Sequence, residues 1–350
     1  MSHVHEDQSM GASESISGRT AVITGGASGI GLGVAKKCVS LGMKVAICDI
    51  SRDALNKAER ELRKIVVGRG GKKGDIMACK CDVRKLLDVW DFKDKVYARY
   101  GEVGFLFNNA GLGGGWSTYN TTKSEWDLVL EVNLRGVING ISAFVPSMIK
   151  QNTRCAVCCT SSVSGLVGAN SLPFTGAPYV VSKTAVTALA ECLSVELRSK
   201  QTKVSAHVLM PGMVRTNIFE NSTKEMEARL RKTQGASSIG THTAVEVAQM
   251  ERYKRDFDEK GLSVNAMVSA MYERIRRGDF YLVITPPEQP EEYFRALAAV
   301  RGDDIVRNRP ANSISMKPVP KAARKAFKAG VKAVIDAKKN KKSSELKSKL

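Results

Sequence analysis

Residues 20–31 read TAVITGGASGIG, and the chain continues through LGVAKKCVSLGMKVAICD to Asp49. Thr20 to Thr24 form a short β-branched run of the kind that reads as a strand, and the amphipathic pattern after residue 30 reads as a helix. The turn between them is rich in glycine, so the backbone can approach a bound group closely, and the helix start presents free N–H groups and a favourable dipole. Such a turn receives a pyrophosphate, which makes Gly25, Ser28, Gly29, Ile30 and Gly31 candidate binding positions. Asp49 closes the next strand pattern about 20 residues later, where a carboxylate can accept bonds from both adenosine ribose hydroxyls. The same charge repels a 2′-phosphate. The turn contains no Lys or Arg, and Arg52 stands three positions past Asp49, so NAD is favoured over NADP as the cofactor.

Outward from this unit, short apolar runs alternate with longer amphipathic stretches, the pattern of parallel βαβ units. Strands are predicted at 20–24, 44–49, 75–81, 104–108, 155–160 and 203–210, with a seventh at 280–284. Helices are predicted near 30–42, 52–67, 84–100, 124–150, 177–200 and 263–277. Near-continuous apolar strands imply a sheet covered on both faces, hence an α/β doubly wound parallel sheet of about seven strands. Residues 217–262 interrupt the rhythm with a polar, charged insertion after the sixth strand, where it can lie over a ligand as a lid. The reading is a flexible N-terminus at 1–17, one catalytic domain at 18–310 and a basic tail at 311–350.

With 43% hydrophobic and 25% charged residues in 350, the composition is that of a globular protein with a sizeable core. No uninterrupted apolar run of about 18 residues occurs, and the polar start MSHVHEDQSMGASES lacks a secretory h-region, so a chain kept inside the cell is expected. The formal charge is +19, yet residues 317–350 hold twelve Lys or Arg against two acids, a net of +10. The rest is spread thinly and without aromatic interleaving, which argues against a nucleic-acid groove. Cysteines at 38, 48, 79, 81, 155, 158, 159 and 192 lie mostly in strand or core patterns and read as reduced thiols. Cys155 and Cys158 lack a second pair or a nearby His, so no metal is expected.

The motifs along residues 18–217 resemble those of the short-chain dehydrogenase/reductase family. TGGASGIG is similar to its TGxxxGxG turn, Asp82 and Val83 in CDV to its adenine-contacting segment, and NNAG at 108–111 to the segment beneath the adenosine. The resemblance implies cofactor contacts at Asn109, Ala110 and Gly111, and at Pro211, Gly212 and Thr216 in PGMVRT. It also implies catalytic roles for Asn133 in VNLRG, Ser162 in CTSSVSG, and Tyr179 and Lys183 in YVVSK, the last two touching the cofactor as well. Ser161 is the neighbouring alternative to Ser162.

The chemistry of these residue types is consistent with that assignment. Tyr179 and Lys183 are four apart and share one helix face. A free phenol titrates near pH 10 (roughly), and a close ammonium would bring it toward neutrality. Ser162 can donate to a substrate oxygen, and Asn133 can hold a water that relays protons toward Lys183. The expected activity is hydride transfer between the nicotinamide and an alcohol or carbonyl substrate, with a non-catalytic dinucleotide sensor or scaffold as the alternative.

Two stretches depart from the family pattern: GANSLPFTGAP ahead of Tyr179, and TPPEQPEEYFRALAAVRGDDIVRNRP at 285–310. The second puts the usual C-terminal tetramer contacts in doubt. A homodimer or homotetramer through the helices at 124–150 and 177–200 is expected. The chain ends Ser348, Lys349, Leu350, a peroxisomal import address read by a receptor, which implies a peroxisome or glycosome-type matrix, or the cytoplasm if the tripeptide is not used. A competing reading of the tail is an amphipathic helix over 321–339, with Phe327, Val331, Val334 and Ile335 on one stripe among lysines, resting on an anionic membrane surface. Adding one residue after Leu350 should leave an N-terminally labelled fluorescent fusion in the cytosol, whereas the unaltered chain should overlap a peroxisomal marker by microscopy.

Overall fold

The computed structural model describes residues 18–114, 118–168, 176–233, 244–287 and 289–307. The tail with its terminal tripeptide, the 321–339 stripe and most of the GANSLPFTGAP stretch lie outside the described residues.

Seven strands form one parallel sheet: β1 (Thr20–Thr24), β2 (Lys44–Asp49), β3 (Ile76–Lys80), β4 (Phe105–Asn108), β5 (Cys155–Thr160), β6 (Val204–Pro211) and β7 (Tyr281–Ile284). Their spatial order is β3-β2-β1-β4-β5-β6-β7. The chain therefore builds outward from β1 to β3, crosses back to pair β4 against β1, and continues to the other edge. β1 and β4 are in register at Ala21 with Phe105 and Ile23 with Phe107. The switch point lies between their carboxyl ends, which is where ligands bind in open α/β sheets.

Alternation within each strand fills two cores. On one face Val22, Leu106, Val157 and Val208 pack with Phe92 of α3 (Leu86–Tyr100) and Phe144 of α5 (Gly136–Lys150). These two rings meet edge to face at 6.0 Å. On the other face Ala21, Ile23, Ile47, Phe107, Cys158 and Leu209 pack against α1 (Gly29–Ser40), α2 (Arg52–Gly68) and α10 (Val264–Arg276). Apolar residues at successive strand positions were the signal for two covered faces, and both are covered. Six of the eight cysteines are buried as free thiols, Cys79 is half-buried and Cys192 is exposed on α7 (Ala177–Ser199).

The predicted helix at 124–150 is one continuous element with a π-helical turn, Glu131–Arg135, between α4 (Lys123–Leu130) and α5. It is long and apolar enough to cross a membrane, but more than half of its most apolar stretch is buried within the fold, as in a core helix. The insertion contains α8 (Ile218–Thr233) and α9 (Ala244–Lys260). Its two ends are tied together at a neck where Val214 bridges Leu262, with Arg215 N–H donating to the Leu262 carbonyl and Leu262 N–H to the Met213 carbonyl, both at 2.9 Å. Two further helices were not predicted: α6 (Val163–Val167) and α11 (Glu291–Val306), which meet through Val167, Phe294 and Leu297. Alternating Glu, Arg and apolar residues give α11 almost no apolar stripe, so periodicity did not reveal it.

Candidate active site

The turn after β1 and the segment after β4 are joined by one hydroxyl. Thr24 Oγ1, buried at the strand end, accepts N–H bonds from Asn109 at 2.9 Å and Ala110 at 3.1 Å. Asn109 returns the contact by donating Nδ2 to the Thr24 carbonyl at 3.1 Å. Gly25 and Gly29 adopt positive φ, +62° and +50°. A β-carbon on Gly31 would lie 2.2 Å from the Gly25 carbonyl, so the turn folds onto α1 only with glycine there. Ser28 is the N-cap of α1 but its side chain accepts no capping bond, and the first turn holds no acid. The first N–H groups of α1 thus face the crevice without a side-chain cap, a shape and charge suited to a pyrophosphate. Ile30 packs beneath the turn against the sheet core.

Asp49 sits at the end of β2 beside this turn. Its oxygens accept from Ala27 N–H at 3.3 Å and Ser51 N–H at 3.1 Å. Burial raises its carboxyl above the usual value, and the backbone bonds oppose that. Asp82 is held differently: Arg84 grips it through Nε at 2.8 Å and Nη2 at 2.7 Å. Burial pushes this carboxyl up, but the Arg84 bonds and charge outweigh it and hold the acid below its usual range. Any adenine contact would therefore share the carboxylate with Arg84. The Val83 carbonyl is fixed by Asn139 Nδ2 at 2.7 Å. Pro211 ends β6, Gly212 N–H donates to Ile284 at 2.9 Å, and Thr216 lies against Gly29, so the PGMVRT loop closes the crevice from the opposite side.

Around the reacting end, Tyr179 and Lys183 share the first turns of α7. Lys183 Nζ lies 5.7 Å from the centre of the Tyr179 ring and donates to the Thr160 carbonyl at 2.9 Å. The two neighbouring serines separate in role. Ser161 Oγ turns away, donating to the Lys183 carbonyl at 2.7 Å and touching Thr187 Oγ1 at 2.8 Å. Ser162 caps α6, accepting Ser164 N–H at 3.1 Å, and its hydroxyl lies near enough to the Tyr179 phenol to draw its pKa down. The serine next to the phenol is Ser162.

Asn133 is fully buried in the π-helical turn, a local widening frequent at functional sites. Its Oδ1 accepts Leu112 N–H at 2.7 Å, while Nδ2 donates to the Leu112 carbonyl at 2.9 Å and to Ser182 Oγ at 3.0 Å. These bonds tie Asn133 to the backbone after NNAG and to Ser182 of α7. A β-carbon on Gly111 would stand 3.3 Å from both Asn133 Oδ1 and Lys183 Nζ, so a side chain there would press on both groups by a few tenths of an ångström. Thr24, Leu112, Thr160 and Ser182 were missed from the sequence. Ser182, three residues after Tyr179 on the same helix face, carried a signal in its spacing; the carbonyls of Leu112 and Thr160 carried none.

Electrostatics in this site follow burial. The Lys183 amine is pushed down to about 8 by desolvation. The Tyr179 phenol is raised by burial, which exceeds the lowering from its Ser162 bond. The expected lowering of the phenol by Lys183 does not dominate in this geometry: the amine is beside the ring, bonded to a carbonyl, rather than at the phenol oxygen. Among the described residues, no three His, Cys, Asp or Glu side chains converge as a metal site.

A family model described as short chain dehydrogenase matches residues 19–227. The chain is similar to a C alpha-dehydrogenase from Sphingobium sp., 30% identical over 282 residues that cover 80% of this chain and 85% of the relative. It is also similar to tropinone reductase-like 1 from Erythroxylum coca, 34% identical over 66% of this chain and 79% of the relative. Among solved structures it is similar to a short chain dehydrogenase/reductase from Burkholderia phymatum in complex with NAD, with a TM-score of 0.74 and 29% identity over 85% of this chain and 98% of that one.

The lowered amine has a measurable consequence. Between about pH 8 in the native state and about 10.4 in the unfolded chain, the unfolded state holds one more proton at Lys183, so this group's contribution to stability rises with pH across that window. Below pH 8 the native state carries the full cost of a buried ammonium. Lys183→Met should therefore be more stable than the parent at pH 7, with the gap narrowing toward pH 10, as read from urea midpoints at matched ionic strength (both pH values approximate, from the same window).

Proposed function

The chain belongs to the short-chain dehydrogenase family, and from that premise we propose that it is an NAD-dependent oxidoreductase acting on an alcohol or the corresponding carbonyl, with Tyr179 as its acid/base. The supporting observation is the convergence of Ser162, Tyr179 and Lys183 at the carboxyl end of β5, across the crevice from an uncapped glycine-rich helix start.

The residues present fit a dinucleotide. The turn from Gly25 to Gly31 leaves a cradle that β-carbons would fill, and Asp49 lies where an adenosine ribose would end. Asp82, Val83, Asn109, Ala110 and Gly111 line the adenosine side, and Pro211, Gly212 and Thr216 the nicotinamide side. When bound, the nicotinamide supplies the hydride acceptor or donor. In alcohol oxidation Tyr179 takes the hydroxyl proton, while Ser162 donates to the same substrate oxygen and steadies the charge that develops on it. Lys183, once protonated, favours the phenolate, and Asn133 positions the segment on which the substrate and Lys183 both border. The Asp49 carboxylate favours NAD by opposing a 2′-phosphate.

A second copy of the chain is the proposed protein partner. Val181, Cys192 and Val195 are exposed on one side of α7, and Ile138 is exposed on α5, an apolar surface on the two helices expected to pair.

Tyr179→Phe should lower turnover by at least about 100-fold while NADH still binds, checked by steady-state rates over a panel of secondary alcohols and ketones and by NADH fluorescence titration. Persistent turnover in that variant would remove Tyr179 from its assigned role. Asp49→Ala should reduce the ratio of NADPH to NADH dissociation constants by about tenfold or more, and an unchanged ratio would count against the ribose contact.

A further inference from the structure

We propose that Ser222 of the lid helix α8 is a positioning residue for this reaction, clamping the segment after β4 onto Asn133 so that docking of the lid completes the acid/base group. The proposal rests on the dehydrogenase reading, and its test separates the two.

The sequence of α8 is largely polar, and over residues 218–229 its side chains are half-buried or exposed except for Ser222, which is 8% exposed. A covered hydroxyl is a poor choice for packing alone, because it loses water and needs bonds in return. Ser222 has both. It donates to the Ile218 carbonyl one turn back at 2.6 Å, which fixes its rotamer and turns a lone pair toward the body of the protein. That lone pair accepts Gly113 N–H at 2.8 Å.

Gly113 follows Leu112, the residue that Asn133 holds by both its N–H and its carbonyl. From Asn133 the connection runs to Ser182 Oγ at 3.0 Å, and from Ser182 Oγ to the main-chain carbonyl of Tyr179 at 2.7 Å. The lid helix is thus linked through five hydrogen bonds to the residue carrying the phenol. A second contact reaches the same place from the other side. Arg229, two turns further along α8, pairs with Glu131 at 2.8 Å, and Glu131 opens the π-helical turn that carries Asn133. Met226 lies against Gly114 between the two polar contacts. Lid contacts therefore fall on both segments that meet at Asn133, and a lid lifted about its neck at Val214 and Leu262 releases both together.

A serine that only glued the lid down would affect the lid alone. A positioning serine also controls how firmly Leu112 is held by Asn133, although Leu112 does not touch α8 by hydrogen bond. The experiment is amide exchange on the full-length protein, free and with NADH, comparing the parent, Ser222→Ala and Ser222→Thr, with Arg229→Met as a second way to loosen the same helix. The Leu112 amide should exchange about tenfold faster in Ser222→Ala and in Arg229→Met, and at the parental rate in Ser222→Thr, which keeps the hydroxyl. Acceleration confined to Gly113, with Leu112 unchanged, overturns the proposal. In parallel, kcat with whichever secondary alcohol of the panel the parent oxidises should fall about tenfold to 100-fold in Ser222→Ala, with KM for NAD within about twofold and Ser222→Thr restoring the rate. An unchanged kcat overturns it too. If the parent oxidises no alcohol and reduces no ketone, the dehydrogenase reading fails, and the Leu112 exchange rate by itself upholds or overturns the linkage between lid and Asn133.

Discussion

Lys183 is an amine with 3% exposure whose named partner is the backbone carbonyl of Thr160. Taking an ammonium out of water costs several kcal/mol unless it is paired (an order of magnitude only), and here one neutral acceptor does the pairing. Much of the surrounding structure is arranged to keep it there. Ser161 and Thr187 secure the Lys183 main chain, β5 supplies the carbonyl, and Gly111 lets the opposing backbone come close enough to exclude solvent. An apolar residue would make α7 more stable. In the proposed acid/base reading that cost serves the chemistry, which requires a proton held loosely beside a phenol.

The sheet supplies the rigidity against which that strain is held. β1 and β4 end side by side at the reversal of strand order, and Thr24 ties the two following loops with a single hydroxyl. The cradle for a dinucleotide and the floor of the reacting end are consequently tied to each other, since Thr24 at the end of β1 holds the segment after β4 that runs from Asn109 to Leu112. Asn133 carries the same piece onward to α7. The two halves of the site are therefore aligned by hydrogen bonds between segments far apart in the chain, from Thr24 to Asn109 and from Asn133 to Leu112 and Ser182.

The fold was legible because its signals are local and repeated. Most strand interiors are apolar on both faces, most strands lead into a stretch of helical period, and the glycine turn follows the first strand and opens a helix, the context a phosphate-binding turn requires. Element ends agree to within two residues over most of 20–211, as at β2, α2 and α7. The candidate site was legible as a set of residue types, but not as a set of contacts. Asp82 gave no sign of its bidentate grip by Arg84, although the two are neighbours in sequence, because spacing of two says nothing about side-chain direction in a loop. The commitment of the Asn133 amide to Leu112 depends on a π-helical turn, and no periodicity marks one. The phenol and amine share a helix face as expected, but which effect governs their titration depends on burial, a property of the assembled fold.

The helix α11 lies against α6, and α6 begins at the serine whose hydroxyl meets the phenol. Phe294 and Leu297 thus brace, through Val167, the piece of backbone that sets where that hydroxyl points. This bracing comes from a segment placed after the last strand, free of the register that binds every residue of the sheet. Exchanging it would re-cut the shape offered to a reactant without touching the dinucleotide cradle, so that selectivity and chemistry can diverge independently within a single inherited framework.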